Sequence, residues 1–341
     1  MRHGTGLLRR WFWTAAQGIR ALGEDVGRTM RVAGQATSPS RDRRIRVIKG
    51  KDVWPYALIA PAVLLVSGVA IYPALMALWV SLWNMNFLRL HEATFAGLGN
   101  YHKLFFQDDV FIGAIWRTVR WTGTVIAGQM ALALPIALFL NIPFRWRGAV
   151  RTVVLIPWVV PSAVTAVIWV YLLDANFGVV NTLLSRLGVI SANIAWLSDN
   201  TLSFFALVMA MIWSGFPFMA VMLLAALQAL PQDVYEAARI DGSGPWQTFR
   251  YITLPQLMPT ILLVLLLRSM WLSHHVDMIY LVTEGGPGTA NMTIAVYSFR
   301  LTSIQMNIGY SSAVAIILAG ILFMVAVIYI RYIEKSREYL R

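Results

Sequence analysis

The chain has 341 residues, 58% hydrophobic and only 13% charged, with a mean hydropathy of +0.63. A soluble domain of this size carries about a quarter charged residues, so the composition is that of an integral membrane protein. The net charge of +12 comes without a nucleic-acid-binding module, there is no Cys, and the five His are scattered, which excludes disulfides, thiolate chemistry, Cys-ligated metals and an H-E-x-x-H zinc centre.

Residues 1–53 read as a basic cytoplasmic extension holding 12 of the 28 Lys and Arg. Leu7, Leu8, Trp11, Ala15, Ile19, Leu22 and Val26 recur at helical spacing, with Arg9, Arg10, Arg20 and Arg28 elsewhere on the wheel. That pattern suits a helix lying on anionic membrane lipid, favoured by about 1 kcal/mol per cation near the surface, and equally a tail that only enforces topology. The same arginines interrupt any uncharged h-region, so no cleavable signal peptide is expected. Residues 34–40, GQATSPS, read as a loose linker.

A helix needs about 20 apolar residues to cross the hydrocarbon core. Six runs qualify, at about 55–83, 117–141, 150–173, 202–230, 259–283 and 308–331. Residues 54–335 are therefore expected to form one all-α polytopic domain of six transmembrane helices, with 336–341 as a cytoplasmic tail. With the N-terminus inside, inner segments hold 21 Lys and Arg and outer segments hold 4, while Arg117, Arg120 and Arg268 fall within spans. The asymmetry predicts cytoplasmic N- and C-termini and a cytoplasmic loop at 232–259. The outer connections 84–116, 174–201 and 284–307 are longer than a chain reversal needs and read as a shaped surface. Asn176, Asn181, Asn193 and Asn291 lie there, suited either to contact with a delivery protein or to ordinary turn chemistry.

In the fourth span, Trp213 and Phe218 flank Ser214, Gly215 and Pro217, where a break or kink is expected. The fifth carries Arg268, His274, His275 and Asp277. A charge at mid-bilayer costs about 2.5–3.5 kcal/mol on insertion scales, so these groups either line a polar path or tie the helix to its neighbours. On one continuous helix, His275 would share a face with Arg268 two turns earlier, and His274 and Asp277 would be i,i+3 neighbours.

Between these spans lies Gln232–Pro259, polar and punctuated by Gly and Pro. Val234–Ile240 is a short Ala-rich helix with Glu236 and Arg239 spaced i,i+3, and Gly242 ends it. Ser243 is placed to cap a second helix with Pro245 in its first turn and Trp246, Phe249 and Ile252 as its apolar stripe. Pro255 and Pro259 restrict the chain before the next apolar run. The expected product is a pair of short helices at a fixed angle, presenting Glu236, Arg239 and Asp241 outward as a docking knob.

Glu236-Ala237-Ala238-Arg239-Ile240-Asp241-Gly242, followed by Phe249-Arg250-Tyr251-Ile252-Thr253-Leu254-Pro255 and Pro259, resembles the EAA loop of permease subunits in bacterial binding-protein-dependent ABC importers, with Ser243 where Ala is usual. Leu281-Val282-Thr283-Glu284-Gly285-Gly286-Pro287, then Thr293, is similar to the L-T-x-G-G-P…T stretch of the sugar-type branch. The resemblance covers roughly residues 54–335 and leaves the basic extension outside. It implies a permease in the bacterial inner membrane whose loop residues Glu236, Ala237, Ala238, Arg239, Asp241, Gly242 and Pro255 couple to a separate ATPase. It further implies a second, similar permease, two ATPase subunits and a periplasmic solute-binding protein. The chain itself has no G-x-x-x-x-G-K-[ST], so ATP and Mg would sit on the partner ATPase, with no catalytic residue, cofactor or metal held here. A carbohydrate or sugar-like solute is implied, with Trp213, Pro217, His274, His275 and Asp277 lining the path. The family more often has Asn at the position of His274 and an aromatic near Ser273. The rival reading is an ion-coupled secondary transporter, which calls for paired charged relays or matching broken helices.

Overall fold

The computed structural model describes residues 53–338 and is almost entirely helical. The basic extension and the last residues of the tail lie outside the described residues. Two compact units divide near residue 66. In the first, the described part is α1 (Val53–Val66).

The second unit begins with a π-type turn, Ser67–Ile71, and α2 (Tyr72–Val80). The apolar stretch Tyr56–Val80 is 25 residues long, enough to cross a bilayer. Outside it, Trp83–Asn84 pairs antiparallel with Thr94–Phe95, a two-residue exception to the all-α expectation. After α3 (Gly99–Phe106), α4 (Asp109–Asn141) runs 33 residues and begins a full two turns before the expected 117. Asp108 explains the early start: its carboxylate accepts from the Phe111 N–H at 2.9 Å, satisfying an orphan donor of the first turn. The same carboxylate accepts from the Tyr297 and Tyr310 hydroxyls at 2.5 and 2.7 Å, pinning two later helices to this corner. Burial and the Asp108 bond raise the Tyr297 pKa above its ordinary value.

The third expected span is not one helix. α5 (Arg147–Val159) and α6 (Ser162–Leu172) meet at 92°. Pro161 lacks an N–H and drives Val160 extended (φ −69°, ψ 125°), which ends α5. Among the described residues, this pair counted as one broken span and the five other long apolar helices make six. The outer α7 (Val179–Arg186) leads to α8 (Asn200–Gln228), capped by Asp199 through bonds to the Thr201 and Leu202 N–H groups. α8 runs unbroken through Pro217, so of the break or kink expected at Trp213–Phe218 the break does not form.

α9 (Gln232–Ile240) and α10 (Pro245–Thr248) form the loop, and a π-type turn, Phe249–Thr253, continues directly into α11 (Leu254–Ser273). The chain is thus helical before Pro255 and Pro259 rather than beginning after them. The wide turn, closed by Leu254 N–H to Phe249 C=O, sits just ahead of the position where Pro255 lacks a donor. α11 stops at Ser273, short of the expected 283. The Ser269 and Ser273 hydroxyls donate back to Leu266 and Ser269 carbonyls at 2.7 Å each, competing with the backbone ladder where it ends. α12 (Asp277–Thr283), α13 (Ile294–Ser303) and α14 (Ile308–Glu338) complete the unit.

The core is built on α4 packed along α8, with α11 against both. An outer apolar cluster contains Val125, Met211 and Leu272, and an inner one contains Ala133, Met219 and Val264. In each helix the residue halfway between those two positions is Gln129, Gly215 or Arg268. One polar layer, repeated at i±4 on three helices, therefore separates two apolar cores.

Candidate functional site

The loop between α8 and α11 is built from complete helix endings. The Gly242 N–H donates to Arg239 C=O at 3.1 Å and the Ser243 N–H to Ala238 C=O at 2.9 Å, the paired bonds of a Schellman ending. Gly242 has φ +77°, where a side chain would be strained. Ser243 is therefore spent closing α9. Gly244 caps α10 in its place, its N–H donating to Gln247 Oε1 at 3.0 Å, with Pro245 in the first turn.

A hydroxyl pair ties α9 to the wide turn that precedes α11. Ala238 is buried, and the Tyr235 hydroxyl lies 3.2 Å from Thr253 Oγ1, itself buried in the wide turn. Glu236, Ala237, Arg239, Ile240 and Asp241 are exposed. Arg239 faces the inner end of α4 rather than pairing with Glu236, because it lines the open groove formed by Tyr235, Leu138 and Trp246. Pro255 is half-buried at the start of α11. α10, the wide turn and α11 run on without a non-helical residue between them, whereas α9 is set off from α10 by the turn at Asp241–Gly244.

The polar groups farther along α11 are separated by its end. Arg268 is buried and donates through Nε to Gln129 Oε1 at 2.9 Å, while Gln129 Nε2 donates to Met211 C=O at 2.7 Å. His274, His275 and Val276 are non-helical, so the shared face of Arg268 and His275 and the i,i+3 relation of His274 and Asp277 do not form. His274 is exposed and His275 half-buried. Asp277 Oδ2 accepts from Ser162 Oγ at 2.8 Å, joining the start of α12 to the start of α6 beside the Pro161 bend. Trp213 is half-buried against Trp169, the rings edge-to-face at 6.4 Å, and Pro217 is buried. Phe218 stacks obliquely between Trp158 and Trp271, at 5.9 and 5.0 Å, an aromatic row drawn from α5, α8 and α11. Gln129 and Trp271 went unremarked in the sequence. An uncharged amide one turn from alanines and a Trp among many carry no local signal.

Gly285 (φ +86°), Gly286 and Pro287 form a turn whose following residues bond to the first part of α4. Asn291 organises it: Nδ2 donates to Gly286 C=O at 2.6 Å and to Ser203 Oγ at 2.9 Å. Arg117 Nη2 donates to Thr289 Oγ1 at 3.1 Å and Arg120 Nη2 to Ala290 C=O at 3.5 Å, so two of the in-span cations anchor this turn. Asn181 is also buried, donating to Ile194 C=O at 2.9 Å and accepting from Trp196 Nε1 at 2.9 Å. Both asparagines serve turn chemistry. Asn291→Ala should destabilise the fold by about 2 kcal/mol, since it strands buried partners. Thermal unfolding in detergent checks this, and an unchanged transition would show that the turn is not held through Asn291.

A family profile described as "Binding-protein-dependent transport system inner membrane component" matches residues 129–339. The sulfoquinovosyl glycerol transport system permease SmoG of Agrobacterium fabrum is 35% identical over 279 residues, covering 82% of this chain and 90% of that protein. The trehalose/maltose transport system permease MalF of Thermococcus litoralis is 35% identical over 283 residues, covering 83% and 94%. The trehalose transport system permease SugA of Mycobacterium tuberculosis is 31% identical, covering 81% and 87%. Among solved structures, a bacterial ABC transporter involved in import of the acidic polysaccharide alginate superposes with a TM-score of 0.72 at 24% identity, over 83% of this chain and 96% of that one. That likeness carries the fold alone.

Proposed function

This chain belongs to the inner-membrane components of binding-protein-dependent transport systems, and from that premise we propose that it is one of two permeases forming the path of an ATP-driven importer for a carbohydrate or sugar-like solute. The solute class rests on relatives whose names specify trehalose, maltose and a sulfoquinovosyl glycerol. Both termini and the Gln232–Pro259 loop face the cytoplasm, a reading supported by the 21-to-4 distribution of basic residues. A periplasmic binding protein delivers solute to the outer surface, and a separate pair of ATPases docks below.

The observation that supports the coupling role is the helical continuity from α10 through the wide turn into α11, with α9 tied to that turn by the Tyr235 hydroxyl against Thr253. Closure of the ATPases displaces α9 through Glu236, Ala237 and Asp241, and the tie to the wide turn passes that motion to α11. Solute passes along the side bearing Trp213, Pro217, His274, His275 and Asp277. Aromatic rings offer faces to sugar rings, and the His nitrogens offer hydrogen bonds to hydroxyls. Nothing favours the ion-coupled alternative: Asp277 is engaged by Ser162 and Arg268 by Gln129 rather than by an opposite charge.

Purification in mild detergent, with and without Glu236→Lys, tests this directly. A P-loop ATPase and a second polytopic permease should co-purify with the wild type, and the ATPase should be depleted in the variant. A chain that purifies alone and carries solute in vesicles without ATP would overturn the importer reading.

A further inference from the structure

Two cavities adjoin at the inner end of the bundle. One, about 590 Å³, is lined by Asn141, Arg147, Gln228, Gln232 and Arg239. The other, about 780 Å³, is lined by Leu134, Pro135, Leu138 and Trp246, and the two share Ile142, Tyr235 and Arg239. No carboxylate lines either one. Asp233 and Glu236 stand on α9 outside both linings, and among the described residues the ion pairs within 4 Å are those of Glu92 with Arg89 and His91. Arg147 and Arg239 therefore both line one polar cavity that no carboxylate lines.

The surrounding chain strengthens this field. The connection 141–151 contains Arg145, Arg147 and Arg151 and no acidic residue. The second cavity is its apolar complement. Leu134 and Leu138 stand one turn apart near the end of α4, and Ile142 follows just past its last residue, so the three form an apolar strip. It leads from the guanidinium groups toward the middle of a membrane-spanning helix. Trp246, 72% exposed, stands at its rim, where an indole suits a headgroup boundary.

We propose that this double cavity binds one anionic phospholipid, its phosphate held between Arg147 and Arg239 and an acyl chain laid along Leu134, Leu138 and Ile142. Charge complementarity selects an anion, the apolar strip selects an amphiphile over a free ion, and the bilayer supplies one at this depth. The proposal rests on the cytoplasmic placement of the loop. Bound there, the lipid touches α9 through Tyr235 and Arg239, so leaflet composition would bias the position of the coupling helix.

Native mass spectrometry of the intact transporter tests this, after exchange into neutral detergent and titration with phosphatidylglycerol or phosphatidylcholine. The wild type should retain one phosphatidylglycerol per permease and no phosphatidylcholine. Arg147→Gln should weaken retention about fivefold, equivalent to about 1 kcal/mol. Leu138→Trp should fill the apolar strip and abolish retention without removing a charge. Excess inorganic phosphate should leave the lipid in place. Equal lipid counts in wild type and both variants, or displacement by phosphate alone, would overturn the proposal. So would loss of the ATPase from Arg147→Gln with its lipid count unchanged, which would assign the cavity to the ATPase. The count is read on the permease itself, so a preparation lacking an ATPase would sink the importer reading while still deciding this one.

Discussion

Gly242→Pro abolishes import and solute-stimulated ATP hydrolysis while the permease accumulates in the membrane at its normal level; that is the expected result of removing the one residue that closes the coupling helix. Gly242 sits at φ +77°, and proline requires about −65°, so the Schellman ending cannot form. The substitution also deletes the N–H that donates to Arg239 C=O. The strain, of order 1–3 kcal/mol, falls on an exposed loop in which an added Cβ would meet nothing within 4 Å, so packing of the spans is untouched. Gly242→Ala supplies the graded control: it keeps the N–H and bears only the left-handed penalty of roughly 1 kcal/mol, so partial activity is expected. Glu236→Lys should match the proline variant in transport by a different route. Its side chain is exposed and unpaired among the described residues, so only docking changes. Uptake and ATPase assays in proteoliposomes, normalised to permease content, decide the matter. Normal uptake by Gly242→Pro would remove α9 from the coupling mechanism.

The helical character of the chain was readable because apolar runs of about 20 residues leave little alternative in a bilayer. Gly242 announced the end of α9 for a similar reason: few residues tolerate positive φ. The departures occur where helices are broken or joined by tertiary contacts. Pro161 was visible, but whether a proline bends a span by 92° or leaves the helix unbroken, as Pro217 does in α8, depends on what packs against it. The loss of helix after Ser273 involves no Gly or Pro, only serines bonding back to the chain. Ser243 was the expected cap of α10; the Schellman bond from its N–H commits it to α9 and leaves Gly244 as the cap. The candidate path residues were picked for polarity within an apolar run, and polarity alone does not say which way a group points. Asp277 reaches Ser162, and Arg268 turns into the bundle toward a glutamine 139 residues away.

That inward arginine yields the second large effect. Gln129→Leu should destabilise the bundle by about 3 kcal/mol or more, because it leaves a buried guanidinium without its one side-chain acceptor. Gly215→Ala should do comparable damage sterically. A Cβ there would lie 2.0 Å from Gln129 Nε2 and 2.2 Å from Arg268 Nη2, in a layer with helices on every side. The double variant Gln129→Leu/Arg268→Met distinguishes a structural layer from a transport determinant. Replacing both partners by apolar groups of similar length removes the unmet charge, so stability should return to near the wild-type value although each polar group is gone. Thermal unfolding in detergent gives the cycle, and strict additivity of the two single effects would show that Gln129 and Arg268 do not depend on each other. Transport by the rescued double variant completes the argument. If it imports normally, the polar layer serves to set the register of α4, α8 and α11. If it is stable but inactive, the guanidinium takes part in moving solute, and the path must approach closer to the α4–α8 seam than the side bearing Trp213 and His274.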